Sequence, residues 1–543
     1  MFDVEAVNWT IPIAVGFFDG YNYHEFIKKQ ENDDVIWEFL SLLKERFRGI
    51  KLYAHCASKF DNKFILASLC KHGQTVGLEL GLVKLRWKEP NITFEDSYLL
   101  VPMSLARMNK MFGVEEKGTW EHDKGLRPWE MGDSFPTFRE YLKNDCTSLS
   151  HSLHKLCELL GYTFGIMPSI SLSTTSVKAF DKCFYDLDEI YPNEEYEEFI
   201  REATYGGRNE VYKRYGEDIN LYDVHWMYTS CYDTPVPTGR MRWVKPNLDI
   251  GTLAEATVRV PKDWYIGPLP YRLDRRLIFP VGEFTSWWDV NELRSAAEMG
   301  VDITIRRQLY CEEEPILKDF GVFMSRLRGG KKDNFWKIFG LALSGKFGQS
   351  RWRDSIKHIS EISDMKGYTP LDDEELYFTT KEYLDRKAPY IRPAVSMRVR
   401  SEARIRHLKL ILQALKFGEV FYSDTDSIFT TTQLPTSGEV GGLTFLGKAD
   451  KGYFIRQKLY ATIVKGKMRQ KSAGYSDLKL SEEDFISLLN GTDLEVGADV
   501  LSSYRTILKQ KELSLLDRGR LIKGSLGDNR IPVGNDTKPI CLP

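Results

Sequence analysis

The run FYSDTDSIFT, residues 421–430, sets two aspartates in a segment whose other residues ask to be buried. Phe421, Tyr422, Ile428 and Phe429 have the character of a core strand. Side chains alternate along a strand, so Asp424 and Asp426 are expected on one side. Two like charges in a half-buried place are costly unless a cation sits between them. Asp-Thr-Asp-Ser is also good turn chemistry. A tight turn and a divalent-metal site both stay open for this segment, and a hairpin whose turn carries a metal ligand satisfies both.

The chain has 543 residues, too many for one core, so about two to four domains are expected. Hydrophobic content of 42% and charged content of 28% are those of a globular protein. The net charge is −2, so a nucleic-acid role needs its cations gathered locally. Arg326, Arg328, Lys331, Lys332 and Lys337 form one such stripe; Lys458, Lys465, Lys467, Arg469 and Lys471 form another. A solvated surface explains either stripe equally well. The eight cysteines include no CxxC pair, which points to free thiols in a reducing compartment and no structural zinc. No secretory signal and no apolar run of membrane-spanning length is present, so a cytoplasmic protein without a membrane partner is expected.

Short strands and helices alternate over residues 1–165 (FDVEA, IPIAVGFF, KLYAHCA, ITFEDSYLL; VIWEFLSLLKERF, FREYLKNDCTSLSHSLHKLCELLG), which predicts an α/β domain. Residues 238–318 show no clear period, 349–395 are charged and loop-rich, a long helix is predicted over 394–416, and the end from about 515 reads as loosely packed. GLTFLGKA, 442–449, nearly spells a phosphate-binding loop, but Ala449 stands where a hydroxyl is required.

Asp424 and Asp426 need a distant partner. Asp223 in LYDVHWMYT follows an apolar strand start and precedes Tyr228 by five positions. Asp223 with the later pair can hold two magnesium ions, which about 4 Å apart clamp the attacking and leaving oxygens of a phosphoryl transfer. Mg²⁺ takes carboxylates plus phosphate oxygens, so few protein ligands suffice.

With these residues the chain resembles the family B DNA polymerases. Their motif A is an Asp with a Tyr five residues on, and their motif C is YxDTDS, here Tyr422-Ser423-Asp424-Thr425-Asp426-Ser427. The frame of their fingers helix is kept by Lys337 and Leu341-Ala342-Leu343-Ser344-Gly345, and Lys-x-Tyr by Lys458-Leu459-Tyr460. KSAGYSD, 471–477, is similar to a segment of the protein-primed branch found in small phages and linear plasmids. Asp3-Val4-Glu5, Phe60-Asp61 and Tyr141-Leu142-Lys143-Asn144-Asp145 resemble the three motifs of a 3′–5′ proofreading exonuclease. Tyr141 and Asp145 are four apart on a predicted helix and share its face.

The resemblance implies an α/β and α+β multidomain fold: an RNase H-like exonuclease (1–165), then a right-hand polymerase with palm (166–237 and 396–475), fingers (319–348) and thumb with C-terminal tail (476–543). Two insertions are implied, one meeting a terminal protein (238–318) and one serving processivity and strand displacement (349–395). It implies two Mg²⁺ per active site, with Mn²⁺ as a substitute. Asp223, Asp426 and Val224 are the implied metal ligands of the polymerase, with Asp424 tuning the site. Asp3, Glu5, Asp61 and Asp145 are those of the exonuclease, with Tyr141 orienting the water. Lys337, Tyr228, Val224 and Arg326 are implied at the incoming nucleotide. Lys458, Tyr460, Lys471, Ser104, Leu105, Gly206 and Gly207 are implied at DNA. Template and primer strands, dNTPs and a terminal-protein primer are the implied partners of a monomer working in the cytoplasm, the host's if the gene is a phage's.

This sequence also departs from the family. The motif B Asn and Tyr are Leu341 and Ser344, and Trp226 replaces a small residue of motif A, so Trp226 is expected to fill volume lost at Ser344. Cys56 follows His55 where an Asn is usual, and Thr204 holds the Tyr position of the branch's YxGG linker, with Tyr205 one place later. An exonuclease with a decayed or specialised polymerase site, a primer-independent polymerase and a non-catalytic replication scaffold are the competing readings. The intact carboxylates oppose the last, because buried charges without metal are expensive to keep.

Overall fold

The computed structural model describes residues 1–80, 84–114, 120, 125–328, 335–372, 374–383, 390–473, 478–497, 499–517, 519–524 and 529–543. The chain divides into two compact units, each built from three stretches. One holds Met1–Ala179, Ser350–Ala388 and Asp499–Arg518; the other holds Phe180–Gln349, Pro389–Ala498 and Gly519–Pro543. Neither follows the simple order read from the sequence.

In the first unit, strands Phe2–Val7, Ile11–Phe18 and Tyr23–Ile27 form an antiparallel meander. Phe2 and Val4 enter the core, so Asp3 and Glu5 alternate to the opposite face. The register slips between Glu5 and Ala6, a bulge of the kind that re-aims a side chain. Asp34 caps helix Val35–Arg46 by accepting from the Trp37 amide at 3.1 Å. Helix Phe135–Phe164 buries Phe138, Tyr141, Leu142, Asp145 and Leu149, one face at helical spacing, and stops at Gly165 in the left-handed conformation.

The stretch 349–395, expected to be loop-rich, supplies three strands instead. Thr369–Pro370, Tyr377–Tyr383 and Trp352–His358 continue a sheet through Val76–Glu79, Lys84–Trp87 and Ile92–Asp96 to Lys51–Ala54. Ser355 and Ile356 pair with Glu79 and Leu78. The outward positions are charged, among them Arg353 and Lys357, while few residues such as Ile356 and Tyr377 face the core; that imbalance hid the strands. The apolar face packs on helix Asp61–Lys71, which also receives Tyr504, Ile507 and Leu508 of helix Tyr504–Gln510.

The second unit is centred on seven strands. Their order is Lys467–Ser472, Leu459–Val464, Leu443–Arg456, Tyr215–Val224, Ser427–Thr430, Val420–Asp424, Asn209–Val211. Helices Lys318–Arg328 and Phe335–Phe347 and the long helix Pro393–Leu415 accompany it. The stretch 238–318 contributes its own sheet, ordered Arg242–Val244, Asp302–Tyr310, Leu253–Val260, Gly282–Asp289. Nor is the end loosely packed: hairpin Arg530–Val533/Asp536–Pro539 buries Arg530 between the rings of Tyr212 and Tyr265.

Buried ion pairs tie the 238–318 sheet to the long helix. Arg398 meets Asp289 at 2.7 Å and Glu313 at 2.6 Å, and Arg404 meets Glu292 at 2.7 Å. Arg404 also donates to the carbonyls of Tyr205 (2.7 Å) and Gly206 (3.0 Å). Removing one member of a buried pair leaves a charge without compensation. Arg404→Ala is therefore expected to cost about 3–5 kcal/mol in chemical denaturation. The double change Arg404→Met/Glu292→Met is expected to recover most of it.

Candidate active sites

The two aspartates that open the sequence reading do not share a strand face. Strand Val420–Asp424 ends at Asp424, Thr425 turns left-handed (φ +60°), and Asp424 pairs with Ser427 across a two-residue hairpin turn. The turn is the hairpin that the sequence left open, and it replaces the shared strand face expected of the two aspartates. Asp424 is held by Lys458 Nζ at 2.9 and 3.0 Å. Asp426 faces Asp223, which lies opposite Ser427 on the adjoining strand. The Val224 amide donates to the Asp426 carbonyl at 2.6 Å and fixes that approach. Burial and then the Asp223 charge push the Asp426 carboxyl up to about 6, and burial raises Asp223 as well. Lys337, on helix Phe335–Phe347, counters both shifts and so lies within electrostatic reach of both carboxylates. Two half-buried carboxylates with hard oxygen donors, both raised by burial and Asp426 also by the Asp223 charge, fit a divalent cation.

The hairpin has its own supports. Thr425 donates its amide to the Arg208 carbonyl at 2.7 Å. A Cβ on Gly207 would lie 2.6 Å from Thr425 Oγ1, so the glycine permits this approach. His407, buried under the turn, donates from Nε2 to the Ser427 carbonyl at 3.1 Å; burial, then Arg208, pushes its pKa down to about 4 and keeps it neutral. Gly206 and Gly207 thus meet Arg404 and Thr425. Tyr460 packs on Tyr422, ring centroids 4.8 Å apart, and pairs with Lys471 on the next strand. Lys467, Arg469 and Lys471 alternate along that strand and share one exposed face.

Tyr228 lies half-buried beside Arg400 and Arg404 and within electrostatic reach of Asp426; burial raises its hydroxyl pKa, and the two arginines oppose the shift. The sequence reading missed both arginines and His407. They sit on the long helix, where a charge every few residues looks like a solvated face; burial alone tells them apart. Arg326 does not join this group: it lines a separate cleft with Thr229, Tyr232, Asp233 and Lys318. The ring at Ser344 is Tyr232, whose hydroxyl accepts from the Ser344 amide (3.3 Å) and donates to the Gly340 carbonyl (2.7 Å). Trp226 instead sits left-handed (φ +57°) as the residue before helix Met227–Ser230. Tyr232 therefore joins Trp226, which is itself buried, as a residue expected to compensate Ser344. Lys331, Lys332 and Gly474–Asp477 lie outside the described residues.

The first unit brings its four carboxylates together. Oxygens of Asp3, Glu5 and Asp145 lie within 4.8 Å of one another. Asp61 accepts from the Val4 amide at 2.9 Å, and burial, with Glu5 and Asp96 nearby, pushes it up to about 7. All four, with Tyr141 and His55, line a cavity of about 500 Å³. Burial, then Glu5 and Asp145, raises the Tyr141 hydroxyl far above its ordinary value, so it remains a donor. This oxygen-rich group also fits divalent cations. His55 bonds Ser97 Oγ (3.0 Å) and the Met103 carbonyl (2.8 Å), and Cys56 beside it takes a left-handed φ of +61°. Ser104 caps helix Leu105–Phe112 by accepting from the Arg107 amide at 3.4 Å, and Leu105 is buried.

The model of type B DNA polymerases of organelles and viruses matches residues 45–135 and 132–391. The DNA-directed DNA polymerase of Enterobacteria phage PRD1 is 25% identical over 489 residues, 83% of this chain and 79% of that protein. A probable DNA polymerase of Ascobolus immersus is 24% identical over 58% of this chain, and one of Neurospora intermedia 22% over 86%. The chain spans 31% of the length of the first and 57% of the second. Phi29 DNA polymerase, solved with primer-template DNA and incoming nucleotides, shares the fold: TM-score 0.72 at 16% identity, covering 96% of this chain and 98% of that one. The family, the relatives and the fold agree with the protein-primed resemblance read from the motifs. The chain belongs to the type B DNA polymerases of organelles and viruses.

Proposed function

We propose that this chain is a DNA-directed DNA polymerase that extends a primer strand on a DNA template, carries a 3′–5′ exonuclease in its first unit, and starts from a hydroxyl of a terminal protein. The carrying observation is the approach of Asp223 and Asp426 across adjoining strands, within electrostatic reach of Lys337. Two Mg²⁺ held there by Asp223, Asp426 and the Val224 carbonyl would supply Lewis-acid stabilisation of the phosphoryl transfer. Lys337 binds and neutralises the triphosphate. Tyr228 stacks under the sugar and excludes a 2′-hydroxyl. Lys458, now on Asp424, is placed to exchange that carboxylate for the primer terminus, with Tyr460 and the Lys467–Lys471 face following the backbone phosphates.

In the exonuclease, Asp3, Glu5, Asp61 and Asp145 would hold the metal pair, and Tyr141 orients the attacking water. Terminal-protein priming is favoured by the folded 242–310 sheet at the place of the branch's first insertion. A second reading, an exonuclease with a specialised synthetic site, is favoured by Leu341 and Ser344 in motif B.

A 5′-labelled primer on a longer template with Mg²⁺ separates the readings. Extension with dNTPs is expected to fall by at least about 10²–10³-fold in Asp426→Ala, while shortening without dNTPs persists. Asp145→Ala is expected to do the reverse. Shortening of the wild-type primer under every condition would favour the second reading. Tyr228→Ala is expected to reduce discrimination against ribonucleotides by about 10–100-fold, measured as the ratio of kcat/KM for dNTP and rNTP.

A further inference from the structure

The turn between the first two strands is Asn8-Trp9-Thr10. Asn8 and Trp9 both take left-handed backbone angles, φ +51° and +62°. Asn tolerates that region and glycine prefers it, whereas a bulky aromatic there is an outlier. Trp9 is also 64% exposed, so core packing does not explain its presence. It lines the same cavity as Asp3, Glu5, Asp61, Tyr141 and Asp145. Its ring stands edge-on to Phe60, the residue before Asp61, with centroids 6.1 Å apart and planes at 84°.

We propose that Trp9 is a stacking platform for the base of the 3′-terminal nucleotide of single-stranded DNA in the exonuclease cavity. This rests on the exonuclease reading above. The metal pair that the cavity's carboxylates would hold serves the phosphodiester, so the base of an unpaired end needs attraction of another kind. An aromatic face supplies it without regard to sequence, because every base has a π-face. A base still paired in a duplex does not offer that face, so the platform selects frayed ends. The cavity of about 500 Å³ has the size of sites that hold small ligands, which a single nucleotide matches. Trp9 is a positioning residue here and makes no contact with the reacting phosphate.

The test uses the full chain and two 5′-labelled single-stranded oligonucleotides. One ends in an ordinary 3′ nucleotide, the other in a 3′ abasic nucleotide. First-cleavage kcat and KM are measured for wild type, Trp9→Gly and Trp9→Phe. The ordinary end is expected to have a KM about tenfold lower than the abasic end in wild type. In Trp9→Gly the KM for the ordinary end rises by about tenfold, the abasic end changes little, and kcat stays within about twofold for both. Trp9→Phe restores most of the difference. Because glycine suits φ +62°, Trp9→Gly is expected to leave the thermal midpoint equal or higher, which a merely structural tryptophan would not do. Equal losses on both oligonucleotides, or none, overturn the platform while leaving the exonuclease in place. No shortening of either oligonucleotide by wild type overturns the exonuclease reading and the platform together.

Discussion

Everything in the second unit depends on an arrangement the chain resists: two carboxylates, Asp223 and Asp426, held against each other in a half-buried place. Coulomb repulsion and desolvation both favour driving them apart or protonating one. The backbone prevents it. Asp426 belongs to a hairpin turn tied to Val224 and Arg208 by main-chain bonds, and its flanking strands lie inside a seven-stranded sheet. Main-chain bonds hold the two side chains in place, and the cost appears as raised pKa values, through burial at both residues and through the Asp223 charge at Asp426. A site built this way is completed by cations, and Lys337 supplies one from the protein itself.

Positioning by backbone extends outward. The turn rests on Gly207, whose missing side chain admits Thr425, and Gly206 and Tyr205 are pinned by Arg404. Arg404 is itself neutralised by Glu292 in the 238–318 stretch. A line of close contacts thus runs from the 238–318 stretch to the Asp424–Ser427 hairpin through groups that cannot be exchanged singly without exposing a charge or a clash. The stretch that looked least regular in the sequence is part of what aims Asp426.

The clustered carboxylates were legible because the chemistry proposed for them fixes residue type and local spacing. Asp3 and Glu5 on a strand, Tyr141 and Asp145 on a helix, and the DTD turn each carry a short-range signature. The geometry of Asp424 and Asp426 was half legible: turn and strand chemistry coexist in the same residues, and only the hairpin partner Ser427 decides between them. The strands of 349–395 were hidden because their outward charges outnumber the inward Ile356 and Tyr377. Arg398, Arg404 and His407 were hidden for the opposite reason: polar residues on a helix read as solvent-facing, and their burial is created by distant segments that no window of sequence contains. The same holds for Tyr232, which meets Ser344 only after the fold brings the turn Cys231–Asp233 against helix Phe335–Phe347.

The sheet that joins Trp352–His358 to Val76–Glu79 bears on how the protein is made. The first unit takes its last strand partners from residues near 380 and its last helix from 504–510. On the ribosome, the N-terminal α/β layer therefore waits with the edge of Val76–Glu79 unpaired until residues near 358 have emerged, and with the helix Asp61–Lys71 partly bare until residues 504–510 have. An open strand edge is a template for wrong pairing. Fragments that stop at the apparent end of the α/β pattern inherit that edge permanently, because the segment that contains the first carboxylate cluster is much shorter than the stretch of chain that completes its sheet and core.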